Sequence, residues 1–251
     1  MMNLRSLLRL LPALLAAFYL SPALALGTYA TGQVIIKLTK FESGGILFNS
    51  WEGEGERATY DSSEECDDKK DECFIPKFET FNFSVREDNA RVINFMRNNM
   101  QKEMVLVYKI HRVEPAALST RFEVEDVLTR FDNPPTSLPF KKTAPLTGSR
   151  NFSLYGRVLK LEYQGVTVGT YEGLYYDRQK DKIHPFSVTN EAMALHIYEC
   201  MKYSKDFYIG ISVAIVTGMR KSDHDVFEIN YRESAGGVDP VQPEKPEKSD
   251  K

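Results

Sequence analysis

The chain has 251 residues, 42% of them hydrophobic and 12% aromatic, which excludes disorder over most of its length. A formal net charge of −3 argues against a nucleic-acid binder, whose domains are normally basic. Three cysteines exclude a disulfide-dense miniprotein.

In chain order, residues 1–25 read as a secretory signal peptide. Arg5 and Arg9 precede an apolar run from Leu10 to Leu20, and Ala23 and Ala25 supply the small residues of a cleavage site. The run is short for a membrane span and is broken by Pro12 and Pro22, so cleavage after Ala25 is expected and no span remains. Loss of the two arginines takes the formal charge from −3 to −5. An exported chain meets oxidising conditions, where disulfides persist. Cys66 and Cys73 flank an acidic stretch and read as a local disulfide closing the loop Asp61–Cys73. Cys200 falls in an expected helix and reads as a buried thiol, a bond from Cys66 or Cys73 to Cys200 being the alternative.

A first β unit spans 26–131. Gly32–Phe41 alternates apolar Val34, Ile36 and Leu38 with polar Gln33, Lys37 and Thr39, the period of a half-buried strand. Ser43-Gly44-Gly45 supplies a turn into a second strand, Gly45–Glu54. A third strand runs near Glu79–Val85. Asp88 is placed to cap a helix to about Met100, whose apolar stripe is Val92, Ile93, Met96 and Met100. Strands follow at Met104–Val113 and Arg121–Leu128. Residues 132–150 hold Pro134, Pro135, Pro139 and Pro145 and read as a semi-rigid linker, or as a cover along the first unit. The second unit, 151–233, repeats the order: Leu154–Tyr163, Val166–Tyr176, Ile183–Val188, a helix Glu191–Tyr203 capped by Asn190 or Thr189, then Phe207–Thr217 and Val226–Tyr231. The tail 234–251 has no apolar period and reads as disordered.

The two units match as tandem copies. Gly32-Gln33-Val34-Ile35 pairs with Gly156-Arg157-Val158-Leu159, and Ser50-Trp51-Glu52-Gly53 with Thr170-Tyr171-Glu172-Gly173. Phe83-Ser84-Val85 pairs with Phe186-Ser187-Val188, and that offset of 103 continues through the helix and the next strand. Three strands, a helix and two strands is the order of an OB-like five-stranded barrel. Another partly open barrel, or a rolled sheet with one covering helix, gives the same string. Gly53 and Gly173 are placed to permit a bulge or a sharp coil in the second strands.

Three stretches carry a resemblance: Lys37-Leu38-Thr39-Lys40, Ser50-Trp51-Glu52-Gly53-Glu54 and Phe81-Asn82-Phe83-Ser84-Val85. They resemble an uncharacterised bacterial family sharing K-x-(S/T)-K, W-E-G-E and F-x-F-S-V patterns. The resemblance covers most of the first copy and the second weakly, where Tyr171 replaces Trp51. It implies a small β domain and no established activity. Some members carry a phosphogluconate dehydrogenase label, but this chain has no strand–GxGxxG–helix fingerprint for a nucleotide.

A search for chemistry is mostly negative. His111, His184, His196 and His224 are scattered over different elements, and no GxSxG, HExxH or P-loop occurs. Ser222-Asp223-His224-Asp225 sets a serine and carboxylates beside a histidine, but triad members converge from separate elements. The acidic loop lacks the glycine and final glutamate of an EF-hand and reads as solvated rather than calcium-binding. No catalytic residue, metal or cofactor is therefore expected. Glu52 and Glu172 match after an aromatic residue and read as anchors of a turn or partners of a cross-strand lysine. Asn82-Phe83-Ser84 and Asn151-Phe152-Ser153 are sequons expected to stay idle. The expectation is an exported protein of the periplasm, cell surface or medium that acts as a non-enzymatic binding module for a protein partner, not nucleic acid. The residues placed for contact are Trp51, Tyr171 and the terminal Lys251. A C-terminal lysine is what plasminogen kringles read, so a surface adhesin is the alternative, and an enzyme the remote one.

Overall fold

The alternation of Val34, Ile36 and Leu38 holds: all three point inward from β1 (Thr28–Gly44) and are almost wholly buried. The computed structural model describes residues 27–44, 49–61, 74–135, 138, 140–146, 150–164, 169–214 and 220–231. The expected signal peptide, the Cys66–Cys73 pair and Lys251 lie outside the described residues. β1 pairs with β2 (Ser50–Tyr60), and β2 with β3 (Pro76–Arg86). Helix α1 (Ala90–Asn98) then crosses to β4 (Glu103–His111), which pairs with β5 (Phe122–Thr129) and back onto β1. A single parallel bridge, Ser84 to Glu123, joins β3 to β5 and closes a five-stranded ring. Register shifts at Leu38/Lys40 and Val107/Tyr108 add the local twist that lets a sheet close on itself.

The second copy repeats the ring. β7 (Arg150–Gln164), β8 (Thr170–Asp177) and β9 (Lys182–Val188) lead to α2 (Glu191–Cys200), β10 (Phe207–Val213) and β11 (His224–Asn230). The parallel closure is Ser187 to Asp225, and the bulges fall at Val158/Lys160 and Gly210/Ile211. The protein is thus mainly β, with two tandem OB-like five-stranded barrels and one helix per repeat. No helix among the described residues is long and apolar enough to cross a membrane.

Several expectations need correction. The bulges and ladders align β1 with β7 at an offset of 120, so Gly156 matches Ile36 and not Gly32. Similarity of short β sequences had set that strand four residues out of register. Asn89, not Asp88, caps α1: its side chain accepts from the Val92 amide at 3.4 Å. Asn190 caps α2 by the same bond, from Met193 at 3.0 Å. Gly53 and Gly173 are not themselves the bulges. A Cβ there would strike the ring of Phe83 or Phe186, so the absent side chain makes room for a phenylalanine filling the barrel.

The barrels share one sheet. Residues 30–34 of β1 pair antiparallel with residues 164–160 of β7, along the β1 edge that β2 occupies further on. Gly32 sits opposite Glu162, and a Cβ there would lie 2.6 Å from the Leu161 carbonyl oxygen. Ile35 and Val105 of the first barrel belong to the apolar core of the second. The connector runs along the second barrel, where β6 (Lys141–Lys142) pairs with Ile229 and Glu228.

Candidate functional site

The β2–β3 hairpin is longer than its barrel needs. β1 pairs with β2 only as far as Glu56, yet β2 and β3 stay paired to Tyr60 and Pro76. This arm reaches the second barrel. The Ile183 amide of β9 donates to the Phe74 carbonyl at 2.9 Å. The Phe74 ring packs on His184 at 4.9 Å and on Tyr60 at 5.5 Å. Between the arm and the outer face of β7, β8 and β9 lies a cleft of about 400 Å³.

Its two sides come from different copies. The arm supplies Thr59, Tyr60, Lys77 and Glu79; the second barrel supplies Lys160, Gln164, Glu172, Leu174, Pro185 and Lys221. Gly173 faces the barrel interior, while Glu172 and Leu174 on either side of it face the cleft. Most of the charges are held in place. Glu79 receives Arg57 at 2.7 Å, and Lys160 meets Glu162 at 3.1 Å. Glu162 is almost fully buried and also accepts from the Tyr108 hydroxyl of the first barrel at 2.6 Å. Burial and the adjacent Glu162 charge push the Tyr108 hydroxyl well above its ordinary value, so it stays a donor. Glu172 accepts from Ser187 Oγ at 2.7 Å and from the Lys221 amide at 3.2 Å.

The duplication supplies an internal control. With the ladders aligned, Lys160 and Glu162 match Lys40 and Glu42, an ion pair of 2.7 Å on the first barrel. Glu172, Gly173 and Phe186 match Glu52, Gly53 and Phe83. Four positions differ in kind, one of them Gln164, which stands where the first barrel has Gly44. Leu174, Pro185 and Lys221 stand where the first barrel has Glu54, Asn82 and Ser119. The outer face of the first barrel therefore carries Glu42, Glu52, Glu54 and Glu56 on adjacent strands. The face of the second has an apolar floor and one more cation, and it alone is covered by the arm.

Trp51 and Tyr171 do not meet. Each is half-buried on the inner side of its own barrel: Trp51 stacks on Phe41 at 5.2 Å under Arg97, and Tyr171 packs on Tyr163 at 5.0 Å. Other tyrosines also fill the second barrel, Tyr175 being buried outright. Glu52 and Glu172 act as anchors, each holding the closing serine of its barrel. In the segment from Ser222 to Asp225, the serine hydroxyl donates to the Pro185 carbonyl, and Asp225 accepts from Thr189 at 3.0 and 3.2 Å. Burial holds the His224 imidazole below its ordinary value. Cys200 is a buried thiol pushed up to about 12 by burial. No cluster of three or more metal-ligating side chains occurs among the described residues.

Sequence reasoning missed the lysines of the cleft. The shared Lys-x-Glu spacing at Lys40/Glu42 and Lys160/Glu162 was the available signal, but it appears only when the first strands are aligned at an offset of 120.

Among solved structures, the chain is similar to two of the single-stranded DNA binding protein from Thermus aquaticus. The wild type is 9% identical, with 86% of this chain and 96% of that one covered and a TM-score of 0.24. A deletion mutant is 11% identical, with 87% and 98% covered and a TM-score of 0.24. No curated protein matches the sequence. The family profile of a domain of unknown function, DUF8785, matches residues 27–131 and 148–236, one stretch per barrel, and the chain belongs to that family.

Proposed function

We propose that the protein is an exported, non-enzymatic binding module whose ligand surface is the arm-covered face of the second barrel. The observation that carries this reading is the cleft of about 400 Å³ between the first copy's arm and the second copy's β8–β9 face. Small OB barrels present ligands on the face of their second and third strands, and β8 and β9 are those strands. A cleft of this volume lies within the range that holds small molecules.

The reading as a binder rather than an enzyme is supported by how the polar groups are engaged. Ser84 and Ser187 donate to carboxylates, and His111 is held by Glu123 at 2.6 Å. Nothing there pairs a nucleophile with a free base. The acidic outer face of the first barrel supports a ligand other than nucleic acid, since a phosphate backbone needs cations along its path. Export rests on Arg5, Arg9, the apolar run after them and Ala23-Leu24-Ala25.

The test is a small-molecule screen on the isotope-labelled exported protein. At least one compound should move the amide signals of Gly173, Leu174, Tyr60 and Lys221 together. Compounds whose shifts map only to the outer face of the first barrel would count against the cleft.

A further inference from the structure

Resting on that binding reading, we infer that the cleft takes a sugar carrying a single carboxylate. Four features point there. The Lys221 ammonium has no ion-pair partner among the described residues, and the Lys77 ammonium reaches only Asp61, at 3.8 Å. The two lysines come from opposite sides of the cleft and offer an anion two charge-assisted donors. Glu79 and Glu172 face the same space, so a doubly charged phosphate meets more repulsion than one carboxylate does.

Those glutamates keep acceptor capacity for hydroxyl groups. The Gln164 side-chain carbonyl oxygen is buried without a partner among the described residues, while its amide nitrogen donates to Glu162. A buried acceptor without a donor is costly, and a ligand hydroxyl satisfies it. Leu174 and Pro185 form an apolar floor, with Tyr60 opposite, against which the C–H face of a ring can lie. The first barrel has Glu54, Asn82 and Ser119 at the matching places and lacks both the floor and the extra cation.

The experiment titrates the full exported protein with D-glucuronate, N-acetylmuramate, D-glucose and inorganic phosphate, followed by NMR. The two acids differ in whether the carboxylate sits on the ring carbon or on an ether arm, and so identify the source. One or both should bind at the Leu174 and Lys221 signals about tenfold more tightly than glucose. Lys221→Ala should weaken the acids by about tenfold with the melting temperature unchanged, and Lys221→Arg should restore their affinity. Equal affinity for acid and neutral sugar, or tighter binding of phosphate, overturns the inference. An unrelated compound that saturates the same signals while both acids fail overturns it too, yet leaves the binding-module reading standing. If no compound reaches the cleft signals, both fall.

Discussion

One hydroxyl closes each barrel. Ser84 donates to Glu52 at 2.6 Å and its oxygen accepts the Thr120 amide at 3.1 Å; Ser187 does the same with Glu172 at 2.7 Å and Ser222 at 3.3 Å. The serine lies at the lone parallel bridge of each ring, where few ladder bonds hold the strands together. Ser187→Ala leaves a buried carboxylate and a buried amide short of a partner and should lower stability by about 1–3 kcal/mol in urea melts. Ser84→Ala should cost less, because Glu52 is more open to water than Glu172. The acids across the bridge behave oppositely. Burial pushes Glu123 up, but hydrogen bonds from Arg86 and His111 and the Lys109 charge outweigh it, so its carboxyl sits below its ordinary value. That stabilisation is complete above the ordinary value of 4.5 and is lost as pH falls through the lower native one. Asp225 is raised by burial, only partly offset by Thr189, so it costs stability as pH rises from 3.8 through its native value. Glu123→Gln should therefore destabilise most near neutrality and less toward pH ~3, whereas Asp225→Asn should be best tolerated near neutrality. Parallel pH trends for the two variants would refute this assignment.

At the scale of elements, the arm marks the difference between the copies. Between β2 and β3 the offset changes from 120 to 103, so the first copy has 17 more residues there. Strand interiors were legible, because the alternation of Val34, Ile36 and Leu38 and the phenylalanines at Phe81 and Phe83 need only one buried face. Strand ends were not. β2 continues to Tyr60 rather than ending at Glu54, because cross-strand pairing with β3 extends it past the end of its apolar pattern. Trp51 and Tyr171 were recognised as equivalent, but aromatic content does not say which side of a strand faces in. The arm's docking was invisible too, since it depends on one backbone bond between residues 109 positions apart, Phe74 and Ile183, and on the Phe74 ring against His184. Phe74→Ala should loosen it: the Ile183 amide should exchange with solvent faster while Phe186 and Val188 on the same strand stay protected. Unchanged exchange at Ile183 would mean that the arm is held elsewhere.

The whole molecule is two barrels that cannot be separated cleanly. Their junction uses the β1–β7 ladder, the bond from Tyr108 to buried Glu162, and Ile35, Val105 and Leu128 packed into the second core. At the other end, Arg130 donates to the Tyr203 carbonyl at 2.9 Å and meets Glu103 at 3.3 Å, while the Phe131 amide donates to the Lys202 carbonyl and its carbonyl accepts from the Ser204 amide, both at 2.8 Å. An apolar joint of this kind argues for one cooperative unit rather than two modules on a linker. It also bears on the cleft, since the bond from Tyr108 fixes Glu162 and Glu162 fixes Lys160. Gly32 is the residue on which the joint turns. A side chain there would meet the Leu161 carbonyl at 2.6 Å and the Glu162 Cα at 2.9 Å, both backbone atoms that cannot swing aside. Gly32→Val should push β1 off β7 at a cost of about 1–3 kcal/mol, the range for overpacking. Neither barrel loses its own ring, because β1 still pairs with β4 and β2, and β7 with β10 and β8. Calorimetry should then resolve two melting transitions where the native chain shows one, and ligand binding at the cleft should weaken with them. A single transition merely moved to lower temperature would show that the apolar contacts of Ile35 and Val105 couple the barrels without the ladder.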